Sequence, residues 1–161
     1  MRPVQQKKVA GDRPVEILLV EDAPIEARRT LRALRKALVR CRVTVVEDGE
    51  QALRLLHQPA FRPDLILLDW YLPKKDGCEV LAEIKNDPEL RRVPIVVLTI
   101  SDRQEDIAAA YNGHANSFVT KPVNPEQFAR TMKLIEFFWR GRRPPVSENP
   151  AAARRTRKGQ P

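Results

Sequence analysis

Asp69 closes an unbroken apolar run, Leu65 to Leu68, within "DLILLDWYLPKKDG" at residues 64 to 77. A strand apolar enough to be buried does not end on a carboxylate without something to compensate the charge. Other short apolar runs also end in polar groups. "VEILLV" (15–20) leads into Glu21-Asp22, and "PIVVLT" (94–99) ends at Thr99. "NSFVT" (116–120) leads into Lys121-Pro122, and "RVTVVE" (42–47) ends at Glu47-Asp48. Three carboxylates, Glu21, Asp22 and Asp69, cannot crowd together ionised unless a cation joins them. Mg²⁺ takes a few carboxylate oxygens plus waters, and Lys121 would add a fixed positive charge. Such a set can stabilise a phosphoryl group carried on a carboxylate, with Thr99 donating a hydrogen bond to it.

These residues meet only if the runs that carry them are neighbours. Between the five runs lie helix-like segments. In "PIEARRTLRALRKALVR", Leu31, Leu34 and Leu38 recur at helical spacing with arginines on the opposite face. Asp48-Gly49 opens "EQALRLLHQ", and Gly77 leads into "CEVLAEIKN", stopped by Pro88. "RQEDIAAAYNG" ends at Gly113, a helix-stop residue, and "PEQFARTMKLIEFFW" starts on Pro125. Alternating strands and helices predict an α/β fold, a doubly wound five-stranded parallel sheet with helices on both faces. In such sheets ligands sit outside the carboxyl ends of the strands, where the strand order reverses. Singly, an acid after a strand is a helix cap, a terminal threonine is unremarkable, and Lys-Pro is a turn. Their joint placement at one edge of successive strands is what points to a site.

Composition narrows the classes. The 161 residues hold one ordinary domain plus tails, and 42% hydrophobic content suits a packed core. No run nears the roughly 18 apolar residues of a membrane span and no signal-peptide pattern opens the chain, so a cytoplasmic location is expected. Cys41 and Cys78 form no metal or redox spacing and are expected to be reduced thiols. The net charge of +8 divides into +3 over residues 1–14, −1 over residues 15–139 and +6 over residues 140–161. The basicity therefore belongs to a flexible N-terminal segment (1–14) and a disordered, proline-rich C-terminal tail (140–161) flanking one domain (15–139). Nucleic-acid binding through the tails is a minority alternative, since no recognition helix stands out.

"VEDAP", "DLILLDWYLPKKDG", "VVLTIS" and "FVTKP" resemble the motifs of the response-regulator receiver domain, the phosphate-accepting module of two-component signalling. The resemblance covers about residues 15–139 and implies a flavodoxin-like strand order 2-1-3-4-5. It implies Asp69 as the phosphoacceptor and Mg²⁺ held by Asp22, Asp69 and the Tyr71 backbone carbonyl, with Glu21 acting through water. It further implies Thr99 and Lys121 on the phosphoryl group, a cis Lys121-Pro122 bond, and Thr99 with Phe118 as the conformational switch. "LPKKDGCEVLAEIKND", "AYNGHANSFVTKPV" and "FFW" are similar to single-domain regulators partnered with phytochrome-type histidine kinases. His57 and His114 carry no ligand pattern. Tyr71 and Ile100 are bulkier than the family's usual residues beside the site, and are expected to slow the approach of water to a phosphorylated Asp69.

The implied function is a stand-alone switch phosphorylated by a histidine kinase, with no output domain after residue 139. Its output would be a protein contact with an unknown downstream partner or onward transfer of the phosphoryl group. It is not expected to be an enzyme beyond catalysing its own phosphotransfer and dephosphorylation. A magnesium-dependent phosphatase of haloacid-dehalogenase type is the competing reading. Such enzymes resemble Asp-x-Asp, and here the second acid is replaced by Tyr71. In the last helix, Phe128, Met132, Ile135 and Trp139 share one stripe, assigned to the sheet. Leu134, Phe137 and Phe138 fall off it, and with the family resemblance they predict a homodimer interface.

Overall fold

Alternation along each strand divides the chain's apolar residues between two cores. The computed structural model describes residues 14–37, 40–100 and 103–140, with side chains as far as Leu134. The elements are β1 (Val15–Val20), α1 (Pro24–Lys36), β2 (Cys41–Val46), α2 (Gly49–Leu56), β3 (Leu65–Asp69) and α3 (Gly77–Asn86), then β4 (Ile95–Thr99), α4 (Gln104–Asn112), β5 (Ser117–Thr120) and α5 (Pro125–Arg140). All strands pair in parallel, in the order β2-β1-β3-β4-β5, as expected. Leu18, Val20, Ile66, Leu68, Ile95 and Val97 face α2, α3 and α4, where Leu53, Leu56, Val80, Leu81 and Ile84 complete one core. Their neighbours Ile17, Leu19, Leu65, Leu67, Val96 and Leu98 face α1 and α5, against Leu34, Phe128 and Met132. A strand covered on both faces has to be apolar throughout, which is why β3 and β4 read as unbroken runs.

The helix termini are chemically marked. Asp48 and Asp76 cap α2 and α3 by accepting from the backbone N–H of Gln51 and Glu79 at 2.8 and 2.9 Å. Asn124 does the same for α5 from Glu126, at 2.8 Å. The end of α4 departs from expectation. Gly113 keeps φ −77°, and the left-handed residue is His114 at φ 67°. Ala115 N–H reaches the Ala110 carbonyl at 3.0 Å and His114 N–H that of Tyr111 at 2.9 Å, the double closure of a Schellman end. Glycine at 113 serves packing instead, since a Cβ there would meet Leu81 Cδ2 at 2.6 Å.

The tails fall outside the described residues except Pro14 and Arg140, and α5 runs to Arg140, one residue past the expected domain boundary. Ile135, Phe137, Phe138 and Trp139 lie in α5, but their side chains fall outside the described ones. Cys41 and Cys78 are free thiols. Among the described residues no helix is long and apolar enough to cross a membrane.

Candidate functional site: an acid pocket at the carboxyl edge of the sheet

The alternation that builds the α1–α5 core carries past the strand ends. Ile17 and Leu19 are followed in phase by Glu21, Leu65 and Leu67 by Asp69, and Val119 by Lys121. All three charged residues are buried, and they meet. The Lys121 ammonium donates to Glu21 Oε2 and to Asp69 Oδ2, the latter at 3.2 Å. Thr99 is in the opposite phase, fully buried at the end of β4. Lys121 N–H donates to its carbonyl at 2.7 Å, and the Lys121-Pro122 peptide is cis. Tyr71 N–H donates to Asp69 Oδ1 at 3.3 Å. Glu21 Oε1 accepts from Ala23 N–H at 3.1 Å, at the start of α1.

Asp22 is exposed, yet one carboxylate oxygen from each of Glu21, Asp22 and Asp69 lies within 4.8 Å of the others. Glu21 and Asp69 share the Lys121 ammonium, with Asp22 beside them. Burial pushes the Glu21 carboxyl up to about 7, the Asp69 charge adds to that, and the hydrogen bond from Lys121 opposes it. Burial alone would lower Lys121, but the hydrogen bond it donates to Glu21 and the charge of Asp69 outweigh it and hold its ammonium above the usual range. The pocket is short of positive charge, and its donors are hard oxygens. That donor set fits a divalent cation of the Mg²⁺ class.

The other expected site residues are placed as follows. Phe118 is half-buried against the core under α2–α4, one strand away from Thr99. Ile100 is 74% exposed, directly after Thr99. Tyr71 is 48% exposed, and its hydroxyl donates to Asp106 Oδ2 in α4 at 2.6 Å. His57, without a partner pattern in the sequence, sits 3.6 Å from Asp87 on the surface. Two contributors escaped the sequence reading. Gly77 lies behind Asp69, where a Cβ would meet the Asp69 carbonyl at 2.5 Å and Trp70 Cα at 2.7 Å. Its one sequence signal is its place after the capping Asp76. Asp106 had none.

The doubly wound sheet carries its acid pocket at the carboxyl ends of the strands, where ligands bind in folds of this class. The profile of the response regulator receiver domain matches residues 17–133, and the chain belongs to that family, a module of two-component signalling. It is similar to Response regulator Rcp1 of Synechocystis, with 42% identity over 131 residues covering 78% of this chain and 89% of that one. The crystal structure of the phosphorylated cyanobacterial phytochrome response regulator RcpA superposes with a TM-score of 0.67 at 46% identity, covering 79% of this chain and 94% of that one. The Mn²⁺-bound form of Rcp1 gives 0.66 at 42% identity, covering 78% and 94%.

Proposed function

We propose that the chain is a stand-alone phosphorylatable switch that accepts a phosphoryl group on Asp69 from a histidine kinase. The observation that carries this is the Lys121 ammonium bridging Glu21 and Asp69 beside a third carboxylate, Asp22. In the transfer the donor's N–P bond breaks as an Asp69 O–P bond forms, and the imidazole leaves with the electron pair. Mg²⁺, when bound, neutralises charge on the phosphoryl oxygens and on the carboxylates around them. Asp22, Asp69 and the Tyr71 carbonyl would hold it, with Glu21 acting through water. Lys121 exchanges its hold on Asp69 for the phosphoryl group, and the Thr99 hydroxyl donates to a phosphoryl oxygen. Phe118 then repacks with Thr99, changing the face formed by α4, β5 and α5.

The similarity to RcpA and Rcp1 supports a phytochrome-type kinase as the donor. Output runs through protein contact or onward transfer. Leu134, 72% exposed on α5, supports a homodimer through α5 to which Phe137 and Phe138 also contribute. No observation favours the phosphatase reading, because Tyr71 stands where its second acid would be.

Labelling with acetyl phosphate or a phosphorylated kinase tests the assignment. The parent is expected to label only with a divalent cation. Asp69→Asn is expected to keep the fold and lose the label, since a neutral isostere relieves carboxylate repulsion. Undiminished labelling of Asp69→Asn would overturn the assignment.

A further inference from the structure

Tyr71 touches two parts of the molecule at once. Its backbone N–H is on the Asp69 carboxylate, and its hydroxyl is on Asp106 in the first turn of α4. Because α4 follows β4, and β4 is the neighbour of β3, the side chain of Tyr71 links the loop after β3 to the helix after β4. Its hydroxyl bond, 2.6 Å to a carboxylate, has the length of a charge-assisted O–H···O⁻ contact. The helix it reaches is lightly anchored, with Ala110 its sole buried residue. The Tyr71 bond therefore ties the first turn of a lightly buried helix to the loop after β3.

We propose that Asp106 is a positioning residue for the phosphoryl chemistry, fixing the Tyr71 ring on the pocket rim so that it obstructs water and ties α4 to the acceptor loop. This rests on the reading of Asp69 as acceptor. Hydrolysis requires a water oxygen to bond to phosphorus as the Asp69 O–P bond breaks. The Asp69 carboxylate is regenerated, and inorganic phosphate leaves with release of a proton. The water must arrive from the solvent side, opposite the breaking bond, and a ring held on the rim narrows that approach. Freed from Asp106, the ring swings out on its two rotatable bonds and the approach widens. The acceptor loop and α4 then also move independently.

Two readouts decide it. Tyr71→Phe keeps the ring and loses the donor, Asp106→Leu loses the acceptor, and Asp106→Asn keeps an acceptor oxygen. Tyr71→Phe and Asp106→Leu are each expected to shorten the phosphorylated lifetime severalfold, the double variant no further, and Asp106→Asn to stay near the parent. In the unphosphorylated, metal-free protein, amide exchange in the first turn of α4 is expected to rise in the same two variants and not in Asp106→Asn. Additive effects of the two substitutions, a parental lifetime in Asp106→Leu, or unchanged α4 exchange would overturn the proposal. If the parent itself fails to label, the acceptor reading falls, while the exchange measurement still confirms or refutes the tie.

Discussion

Lys121 has to compensate more negative charge than one ammonium can. It is buried between Glu21 and Asp69, so removing it leaves both carboxylates without the ammonium that faces them. Breaking a buried pair by deleting one member costs about 3 kcal/mol or more. Lys121→Met is therefore expected to lower stability by about that amount in metal-free denaturant melts. Millimolar Mg²⁺ should recover part of the loss, because the ion supplies the missing counter-charge. An equal loss with and without Mg²⁺ would show that the acids do not share a cation. At this scale the sequence was informative wherever a charge interrupted an apolar run. Glu21, Asp69 and Lys121 stand out because burial leaves no ordinary reason for them. Tyr71 and Asp106 did not stand out as a pair, being 35 residues apart and each unexceptional on a surface.

Elements hold the site through close approach and caps. Gly77→Ala would push a methyl carbon into the Asp69 carbonyl and Trp70 Cα, and the backbone carrying the acceptor would have to yield. A loss of about 2 kcal/mol is expected, with slower labelling of Asp69 than in the parent. Asp48 makes a different prediction. The hydrogen bond from Gln51 N–H holds its carboxyl below the usual range, helped by the Lys74 charge. A carboxyl depressed in the folded state stabilises above its unfolded pKa, and that contribution disappears as pH falls through the folded value. Asp48→Ala should therefore lower the melting temperature at neutral pH, and the gap to the parent should narrow on acidification below about pH 4. β1 matches its expected span of 15–20, while β2 begins one residue earlier than expected and β4 and β5 one later. Such shifts follow from ladder hydrogen bonds, which hydropathy does not register. Gly113 shows the same limit from the other side, since a glycine after a helix marks either a left-handed turn or a tight contact.

For the whole molecule, α5 carries one exposed large apolar residue among its described side chains, Leu134. Phe128 and Met132 are buried in the sheet core, and Leu134 stands out to solvent beside them. Dimerisation through α5 predicts that Phe137→Ala with Phe138→Ala shifts light-scattering mass toward the monomer without unfolding, because Phe128 and Met132 still dock the helix. A parent that is monomeric at tens of micromolar would contradict it. The sheet order has a consequence in time as well as in space. Glu21 and Lys121 are 100 residues apart, and Asp69 and Lys121 are 52 apart. A chain emerging from the ribosome therefore displays its three carboxylates long before the ammonium that reconciles them. Until β5 docks beside β4, the acids repel one another at an open edge, and closing that long loop is the slow kind of step. Docking of the last strand completes the sheet and brings Lys121 to Glu21 and Asp69 together. On the proposed function, a half-made chain would lack the ammonium that a phosphoryl group on Asp69 needs.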